Sequence, residues 1–379
     1  CQGPQEFTMT LEAAPEIGDA QMIEYCKETR KLGYLVGLYT NYTDYPPIGK
    51  VWDERNVIKQ PNGEWQRAWP PDFGLKPLKA VEMEAYYAHR ISEKFGTNTT
   101  YCDVHSCLPP MGMVDYEAGN PGAGMEKTQV KAYGTLLLHG RESYGGPVFS
   151  EGIHHWIYAG LNDGNYAQMG LPDAGNQPLL LDFDLRKIHP LQANISMTPG
   201  WDWGDGLYHC MAAQIAYGHI AFLPFDTVVN ACWEYYMMQQ LQSRYNQVPV
   251  DKINYLGADG KFYEISDAIP LNTHANNQVN VTYTNGLSVF VNCNKTKTMD
   301  ITANGRSYVL PTFGWYANAK DFTEYSALFD GKRINYVDSP IYTYLETGDK
   351  TFKEGILETT GTVILRKDDS RGIKIIPVS

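Results

Sequence analysis

The chain has 379 residues, of which 43% are hydrophobic and 20% charged, a composition typical of a globular protein long enough for two domains. Its formal net charge of -12 argues against a nucleic-acid partner, because binding to phosphates requires clustered Lys and Arg. No apolar run approaches the roughly 20 residues of a membrane-spanning helix, so we expect no transmembrane segment.

Residues 1–248 alternate short β-rich runs with amphipathic stretches, which is typical of βα units around a parallel sheet. Predicted strands cover residues 6–13, 33–40, 99–105, 147–151, 179–185 and 219–225. Predicted helices cover residues 19–31, 76–95, 127–140, 206–217 and 227–245. A (β/α)8 TIM barrel has eight such units, so a closed barrel needs one or two further strands. These would lie before Cys1, in the remainder of a longer chain, or within segments predicted as loops.

From residue 249 the pattern changes to short alternating runs, as at 279–283 and 287–291. Turn signals of the Asn-Gly and Asp-Gly type separate these runs, at 285–286, 304–305 and 330–331. The pattern predicts an antiparallel β-sandwich over residues 249–379. The expected architecture is therefore a TIM-type barrel domain followed by a β-sandwich domain.

Polar side chains end the predicted strand over residues 99–105. Strand alternation places Tyr101, Asp103 and His105 on one face. A buried strand of a parallel sheet is normally a near-continuous apolar run, so an inward-facing Asp and His indicate a hydrogen-bond network or a functional site. In a barrel, functional side chains lie where strands run into the loops at the C-terminal face.

The predicted strand over residues 147–151 also ends in a carboxylate, Glu151, after an apolar run. Two carboxylates flanking one bond suit glycoside hydrolysis, in which one protonates the leaving oxygen and the other attacks the anomeric carbon or activates water. Beside His105, Asp103 suits the attacking role, and Glu151 beside Phe149 suits the role of an acid with a raised pKa. The reverse assignment stays open at this point.

Aromatic residues are abundant, with 27 Tyr and 8 Trp, many of them in predicted loops. An amphipathic ring can stack on the apolar face of a sugar while its polar tip hydrogen-bonds hydroxyl groups. We therefore expect an oligosaccharide or polysaccharide substrate to contact side chains near the two carboxylates. The candidates are Tyr39, Asn41, Asp44, Tyr101, His105, His154, His155, Trp156, Asp182, Asp184, Trp201 and Trp203.

Two other classes of function stay open. Asp103, His105 and His154 have side chains that suit a divalent metal, so a metal-dependent hydrolase or deacetylase is one alternative. The sequence has no HExxH or comparable helix-borne pair, and we expect a site without metal or cofactor. The other alternative is a carbohydrate-binding protein without catalytic activity.

The seven cysteines form no readable disulfide framework, since an odd number leaves at least one unpaired. Cys1 suits the lipidated first residue of a processed lipoprotein. A protein acting on polysaccharide would be secreted, periplasmic or lipid-anchored at the cell surface, and this is the location we expect.

Three features together resemble the retaining α-glycosidases: the strand end Tyr101-x-Asp103, Glu151 at the end of the following strand, and the trailing sandwich. The similarity is to the endo-α-N-acetylgalactosaminidase and α-N-acetylgalactosaminidase-like families, which are related to the α-galactosidase barrels. The resemblance implies Asp103 as nucleophile, Glu151 as acid/base, and an α-galactoside or α-N-acetylgalactosaminide as substrate. The chain departs from these families at its N-terminus, where the first strands are not evident.

Overall fold

The computed structural model describes residues 9–152, 154–167, 206–220, 227–355, 357–368 and 372–378. It divides the chain into two compact units, residues 1–169 and 170–379. This division differs from the boundary at 248/249 that the sequence predicts. The reason is that the helices over 206–217 and 228–245 bury their apolar side chains in the core of the second unit. Within the described ranges, no helix combines the length and hydropathy needed to cross a membrane.

The first unit is built from helices and short strands. Its α-helices are α1 (Asp19–Lys31), α2 (Pro77–Phe95) and α3 (Glu126–Tyr144). Its strands are β1 (Gly37–Thr40), β2 (Asp44–Tyr45), β3 (Phe73–Gly74), β4 (Thr99–Cys102), β5 (Val148–Gly152) and β6 (Gly164–Ala167). Short 3-10 helices occur at Glu54–Asn56 and His155–Tyr158.

Four of these strands form a parallel sheet in the order β1-β4-β5-β6. Helix α2 connects β1 to β4 and α3 connects β4 to β5, so the predicted βα units are confirmed in this part of the chain. The sheet corresponds to part of a barrel. The predicted strand over 6–13 is not formed at residues 9–13, and the predicted strand over 179–185 lies outside the described residues. The sequence did not indicate β6, because its start resembles a turn.

The two faces of the parallel sheet differ in chemistry. Helices α2 and α3 cover the face that carries Cys102 and Val148, and their apolar residues share one core with it. The opposite face carries three aromatic rings in register: Tyr39 pairs with Tyr101, and Tyr101 pairs with Phe149. Alternation along each strand thus directs one set of side chains to the helices and the other set away from them.

Both long helices end at glycines. Gly96 follows α2 and Gly145 follows α3, each in the left-handed region that favours glycine. Gly146 then starts the approach to β5, and a Cβ atom there would lie 2.1 Å from the carbonyl oxygen of Asn98. These glycines allow the chain to turn directly from helix into buried strand.

The second unit is mainly β. Its helices are α4 (Gly206–Tyr217), α5 (Val228–Tyr245) and α6 (Ile265–Ala268), with a 3-10 helix at Thr273–Asn276. Its first seven strands are β7 (Val250–Leu256), β8 (Phe262–Glu264), β9 (Gln278–Tyr283), β10 (Ser288–Asn292), β11 (Met299–Ala303), β12 (Arg306–Leu310) and β13 (Gly314–Ala319). The others are β14 (Phe322–Phe329), β15 (Lys332–Asp338), β16 (Tyr342–Glu346), β17 (Phe352–Glu354), β18 (Leu357–Thr359), β19 (Thr362–Asp368) and β20 (Gly372–Val378).

Most of these strands pair antiparallel, as the sequence predicts, but in one twelve-stranded hydrogen-bonded sheet rather than two separate sheets. Two of the predicted turns have positive φ at both central residues, as type I′ hairpins require: Asn304-Gly305 and Asp330-Gly331. One apolar cluster joins α4 and α5 to the sheet through residues such as Trp315. A second cluster, around Tyr325 and Leu310, forms without these helices.

Candidate active site

The candidate site lies at one edge of the parallel sheet, where three strands end side by side. Thr40 pairs with Cys102, and Cys102 pairs with Ser150. Neighbouring strands lie about 4.8 Å apart, so the residues that follow these positions are close neighbours. They are Asn41, Asp103 and Glu151.

Asp103 is held by two phenol groups. The hydroxyl of Tyr39 donates to Oδ2 at 2.6 Å, and that of Tyr101 donates to Oδ1 at 2.9 Å. The backbone N–H of Asp103 donates to the carbonyl of Thr40 at 2.8 Å. Because a carboxylate has about four lone-pair sites, each oxygen keeps one for a substrate. Although the Tyr39 residue is 47% exposed, desolvation and the charge of Asp103 raise the pKa of its hydroxyl, which stays a donor.

Asn41 and Asp44 form a buried polar centre beside Tyr39. The Asn41 side-chain amide donates to Oδ2 of Asp44 at 2.8 Å and to the Tyr39 hydroxyl at 3.3 Å. Its carbonyl oxygen accepts from the backbone N–H groups of Thr43 and Asp44. Burial is the main cause that raises the pKa of Asp44, and the charge of Asp103 acts in the same direction. The segment after β1 thus folds back on itself and holds both side chains near Asp103.

Glu151 has a different environment from Asp103. Its pKa is raised to about 7, chiefly because burial disfavours the charged form and then because the charges of Asp103 and Asp44 repel it. Hydrogen bonds from the Cys107 thiol and the Val104 backbone N–H lower this pKa and partly offset the rise. The charges of the two carboxyl groups therefore interact, but their environments differ. Asp103 accepts hydrogen bonds from two tyrosine hydroxyls, whereas Glu151 is mainly affected by burial.

Val104, two residues after the end of β4, has an unusual backbone conformation. Its φ of 68° is in the left-handed region, which is unfavourable for a β-branched residue and costs about 1–3 kcal/mol. Strand β4 ends at Cys102, and the chain turns with a hydrogen bond from His105 N–H to the Asp103 carbonyl at 2.8 Å. The strained residue Val104 thus directly follows the candidate catalytic residue Asp103.

The prediction that His105 shares a face with Asp103 is wrong, because the turn at Val104 reverses its side chain. His105 is fully buried and its ring packs against Tyr133 at a centroid distance of 4.6 Å. Its Nδ1 contacts the Asp103 backbone carbonyl at 2.7 Å, and burial lowers its pKa to about 4. His105 therefore supports the turn from the core and does not face a substrate.

The side chains of His154, His155 and Trp156, predicted to lie in the loop after β5, have different environments in the structure. His154 Nδ1 contacts the carbonyl of Cys107 at 2.6 Å, and its backbone N–H donates to the carbonyl of Ser106. His155 begins the 3-10 helix, and Trp156 within it is 66% exposed. His154 thus joins this loop to the turn after Asp103, while Trp156 offers an exposed ring.

Four predicted substrate contacts, Asp182, Asp184, Trp201 and Trp203, lie outside the described residues. The set Asp103, His105 and His154, which the metal hypothesis requires, is not brought together, since His105 faces the core. Among the residues that the structure describes, no group of three or more His, Cys, Asp or Glu side chains could hold a metal ion.

Sequence reasoning did not assign a role in the site to Cys107, Trp69 or Asp72. The Trp69 backbone N–H lies 3.5 Å from Oδ1 of Asp44, and Trp69 itself is 67% exposed. Asp72 is fully buried, and neither carboxylate oxygen has a hydrogen-bond partner among the described residues. Burial and then the charge of Asp44 raise its pKa to about 6. The one feature of the sequence that could have indicated Trp69 and Asp72 as site residues is the Pro- and Trp-rich composition of the predicted loop over 41–73.

No protein-family model matches the chain, and neither does a curated protein. Solved structures do match. The α-N-acetylgalactosaminidase NagBb from Bifidobacterium bifidum, in its GalNAc complex, aligns with a TM-score of 0.55 at 16% identity, over 81% of this chain and 47% of that one. Its ligand-free structure aligns with a TM-score of 0.51 at 16% identity, over 77% and 44%.

At this level of identity the similarity concerns the fold alone, and this chain spans less than half of the NagBb chain. The similarity to a TIM-barrel glycosidase fold that the sequence resemblance implied is confirmed. The four parallel strands of the first unit are a partial barrel, and the β-rich second unit follows them.

Proposed function

We propose that the chain is a glycoside hydrolase that cleaves an α-linked glycoside with retention of configuration. The observation that carries this proposal is the pair Asp103 and Glu151 on adjacent strand ends, one held by two hydroxyl donors and the other with a pKa raised to about 7. Glycoside hydrolysis requires such a pair, with a nucleophilic carboxylate and a protonated acid at neutral pH. The fold similarity to NagBb supports the same class.

In the proposed reaction, the Asp103 carboxylate attacks the anomeric carbon while Glu151 gives its proton to the departing glycosidic oxygen. This step forms a glycosyl–Asp103 ester and leaves Glu151 as a carboxylate. Glu151 then takes a proton from a water molecule, whose oxygen attacks the same carbon and releases Asp103. A retaining enzyme needs the two carboxyl groups about 5–5.5 Å apart, and neighbouring parallel strands support such a spacing.

The proposed substrate is an α-galactoside or α-N-acetylgalactosaminide within an oligosaccharide or glycoconjugate. NagBb is an α-N-acetylgalactosaminidase that forms a complex with GalNAc, and this supports the choice only through the shared fold. Exposed rings of Trp69 and Trp156 near the site suit stacking on a sugar. Asp44, which Asn41 holds through a hydrogen bond of 2.8 Å, would accept hydrogen bonds from its hydroxyl groups.

A panel of α- and β-nitrophenyl glycosides tests the proposal, with product configuration followed by NMR. We expect turnover of an α-galactosyl or α-N-acetylgalactosaminyl substrate with the α-anomer as first product. Asp103→Asn should abolish turnover, whereas the exposed control Asp267→Asn should not. Binding of the sugars without hydrolysis of any would instead favour a carbohydrate-binding protein.

A further inference from the structure

We propose that the core of the first unit has a binding site for a single water molecule, which bridges Glu84 of α2, Tyr42 after β1 and Tyr144 at the end of α3. The site lies between the parallel sheet and the two helices, on the face of the sheet that carries Cys102 and Val148. Neither carboxylate of the candidate active site lines it, and the inference does not rest on the proposed glycosidase activity.

A small cavity is present at this position. Its volume is about 10 Å³, close to the roughly 10–15 Å³ that one buried water molecule requires. Every residue that lines the cavity is buried, so it belongs to the core of the first unit and not to its surface. Cavities that stay dry are apolar, whereas buried waters bond to polar groups that otherwise lack partners. The polar groups of the lining therefore decide between the two.

Three side chains that line the cavity carry polar atoms without a partner. Glu84 Oε1 and the hydroxyl oxygens of Tyr42 and Tyr144 are buried, and none has a hydrogen-bond partner among the described residues. Such atoms are rare in native structures, because burial without a hydrogen bond is costly. Burial also raises the pKa of Tyr42, and its interactions with Tyr144 and Glu84 act in the same direction, as expected for groups around one small cavity.

The Glu84 carboxyl group has one oxygen engaged and the other at the cavity. Nδ1 of His139 lies 2.6 Å from Oε2, so α3 holds the carboxyl group in place. A Cβ atom added to Gly140 would lie 3.6 Å from Oε1 and 3.4 Å from Cγ2 of Val148. Because Gly140 and Val148 both line the cavity, these distances place Oε1 at its wall.

The hydrogen-bonding capacity of water matches these three groups. One water molecule can donate to Oε1 of Glu84 and accept from both tyrosine hydroxyls, and about three hydrogen bonds is the usual number for a buried water. The Thr100 hydroxyl also lines the cavity, but it contacts Oγ1 of Thr40 at 3.2 Å and donates to the Leu38 carbonyl at 3.1 Å. The orphaned atoms are thus the ones that a water would satisfy.

The proposed water joins parts of the first unit that are distant in sequence. It connects α2 and α3 to the segment after β1, through Tyr42. Tyr42 directly follows Asn41, whose side chain holds Asp44 at 2.8 Å. The site therefore supports, from the core side, the segment that carries these two residues.

A crystal structure of the full chain, at a resolution that shows ordered waters, tests the site directly. We expect one water peak at about 2.7–3.2 Å from Glu84 Oε1 and from the hydroxyl oxygens of Tyr42 and Tyr144. Gly140→Ala places a methyl group in the cavity, so the peak should be absent in that variant. A wild-type map without this peak would overturn the inference.

Urea unfolding gives a second test that needs no crystals. Alanine is a better helix former than glycine, so in a dry cavity Gly140→Ala would stabilise the chain. Displacing a bound water instead leaves buried polar atoms unpaired, and we expect the unfolding equilibrium constant to rise by about tenfold or more. The control Thr135→Ala, at an exposed position of the same helix, should lower this constant. A Gly140→Ala chain at least as stable as the wild type would contradict the bound water.

An added methyl group also lowers stability if it strains the packing, and Tyr42→Phe separates this cause from the loss of a water. Tyr42→Phe removes one of the three polar atoms, so Gly140→Ala should lose less stability in that background than in the wild type. Packing strain would lower stability equally in both backgrounds. Equal losses would therefore count against the water site, whatever the activity of the chain.

Discussion

The hydroxyl of Tyr39 and the carboxylate of Asp103, at the ends of adjacent parallel strands, are joined by a hydrogen bond of 2.6 Å. Tyr101 donates to the other oxygen of the same carboxylate at 2.9 Å. Asn41 reaches the Tyr39 hydroxyl at 3.3 Å and links it to Asp44. The carboxylate proposed as nucleophile is therefore oriented directly by Tyr39 of β1 and Tyr101 of β4.

Tyr39→Phe tests this orientation. It removes one donor to Asp103 and leaves the ring, so we expect kcat to fall by about 10- to 100-fold, as loss of a hydrogen bond to a charged group implies. The control Tyr34→Phe removes the hydroxyl of an exposed tyrosine that precedes β1 and should leave kcat unchanged. Steady-state kinetics on the best nitrophenyl glycoside gives the comparison. Equal kcat values in wild type and Tyr39→Phe would show that this hydrogen bond does not assist the reaction.

The coupling between the two carboxyl groups predicts the effect of Asp103→Asn on Glu151. Because the charge of Asp103 raises the pKa of Glu151, its removal should lower that pKa from about 7. Carbon-13 NMR titration of the Glu151 carboxyl measures the change without any need for turnover. The exposed control Asp267→Asn, in the second unit, should leave the midpoint in place. A midpoint that is unchanged or raised in Asp103→Asn would mean that the two groups are not coupled as described.

Glu151→Gln separates acid catalysis from binding. An amide cannot protonate the leaving oxygen, so we expect substrates with poor leaving groups to lose about 100-fold or more in rate. A dinitrophenyl glycoside needs little protonation and should lose much less in the glycosylation step. The rate with the good leaving group is divided by the rate with the poor one, and this ratio is compared between Glu151→Gln and the exposed control Glu142→Gln. Equal losses for good and poor leaving groups would argue against Glu151 as the acid.

Glu84 on α2 predicts a pH dependence of stability. It is buried, and Nδ1 of His139 on α3 lies 2.6 Å from its Oε2. Burial raises the pKa of Glu84 from 4.5 to about 7, although the interaction with His139 lowers it. The folded chain thus keeps a proton that the unfolded chain loses, so this contribution to stability is full below pH 4.5 and is lost as the pH rises to about 7.

Glu84→Gln should therefore reduce the fall in unfolding free energy between pH 4.5 and 7, by about 1–3 kcal/mol. Urea unfolding at several pH values measures this slope. The control Glu82→Gln changes an exposed carboxylate on the same helix. A slope in Glu84→Gln that matches the wild type would remove Glu84 as a source of the pH dependence.

Much of the site could be predicted from the sequence, because the signal was local. Asp103 and Glu151 each end a β-rich run, and parallel strands bring such ends to one edge. The register of β1 and β4 places Tyr39 beside Tyr101, so two predicted substrate contacts lie side by side. The antiparallel pairing of the second unit followed from its turns, two of which adopt the expected positive φ at both central residues.

The rest depends on tertiary structure that overrides local preference. Nothing in the sequence indicates that Val104, a β-branched residue, adopts a φ of 68°, and this one torsion turns His105 into the core. The helices α4 and α5 were predicted correctly as helices, but their packing against the β-rich unit depends on contacts distant in sequence.

The most direct measurement is to trap the covalent intermediate with a slow, activated α-fluorosugar and to locate it by mass spectrometry of peptides. We expect one glycosyl group on the peptide that carries Asp103, esterified to that side chain, and none in Asp103→Asn. A glycosyl group on a different residue, or an inverted first product from the wild-type enzyme, would contradict the proposed double displacement through Asp103.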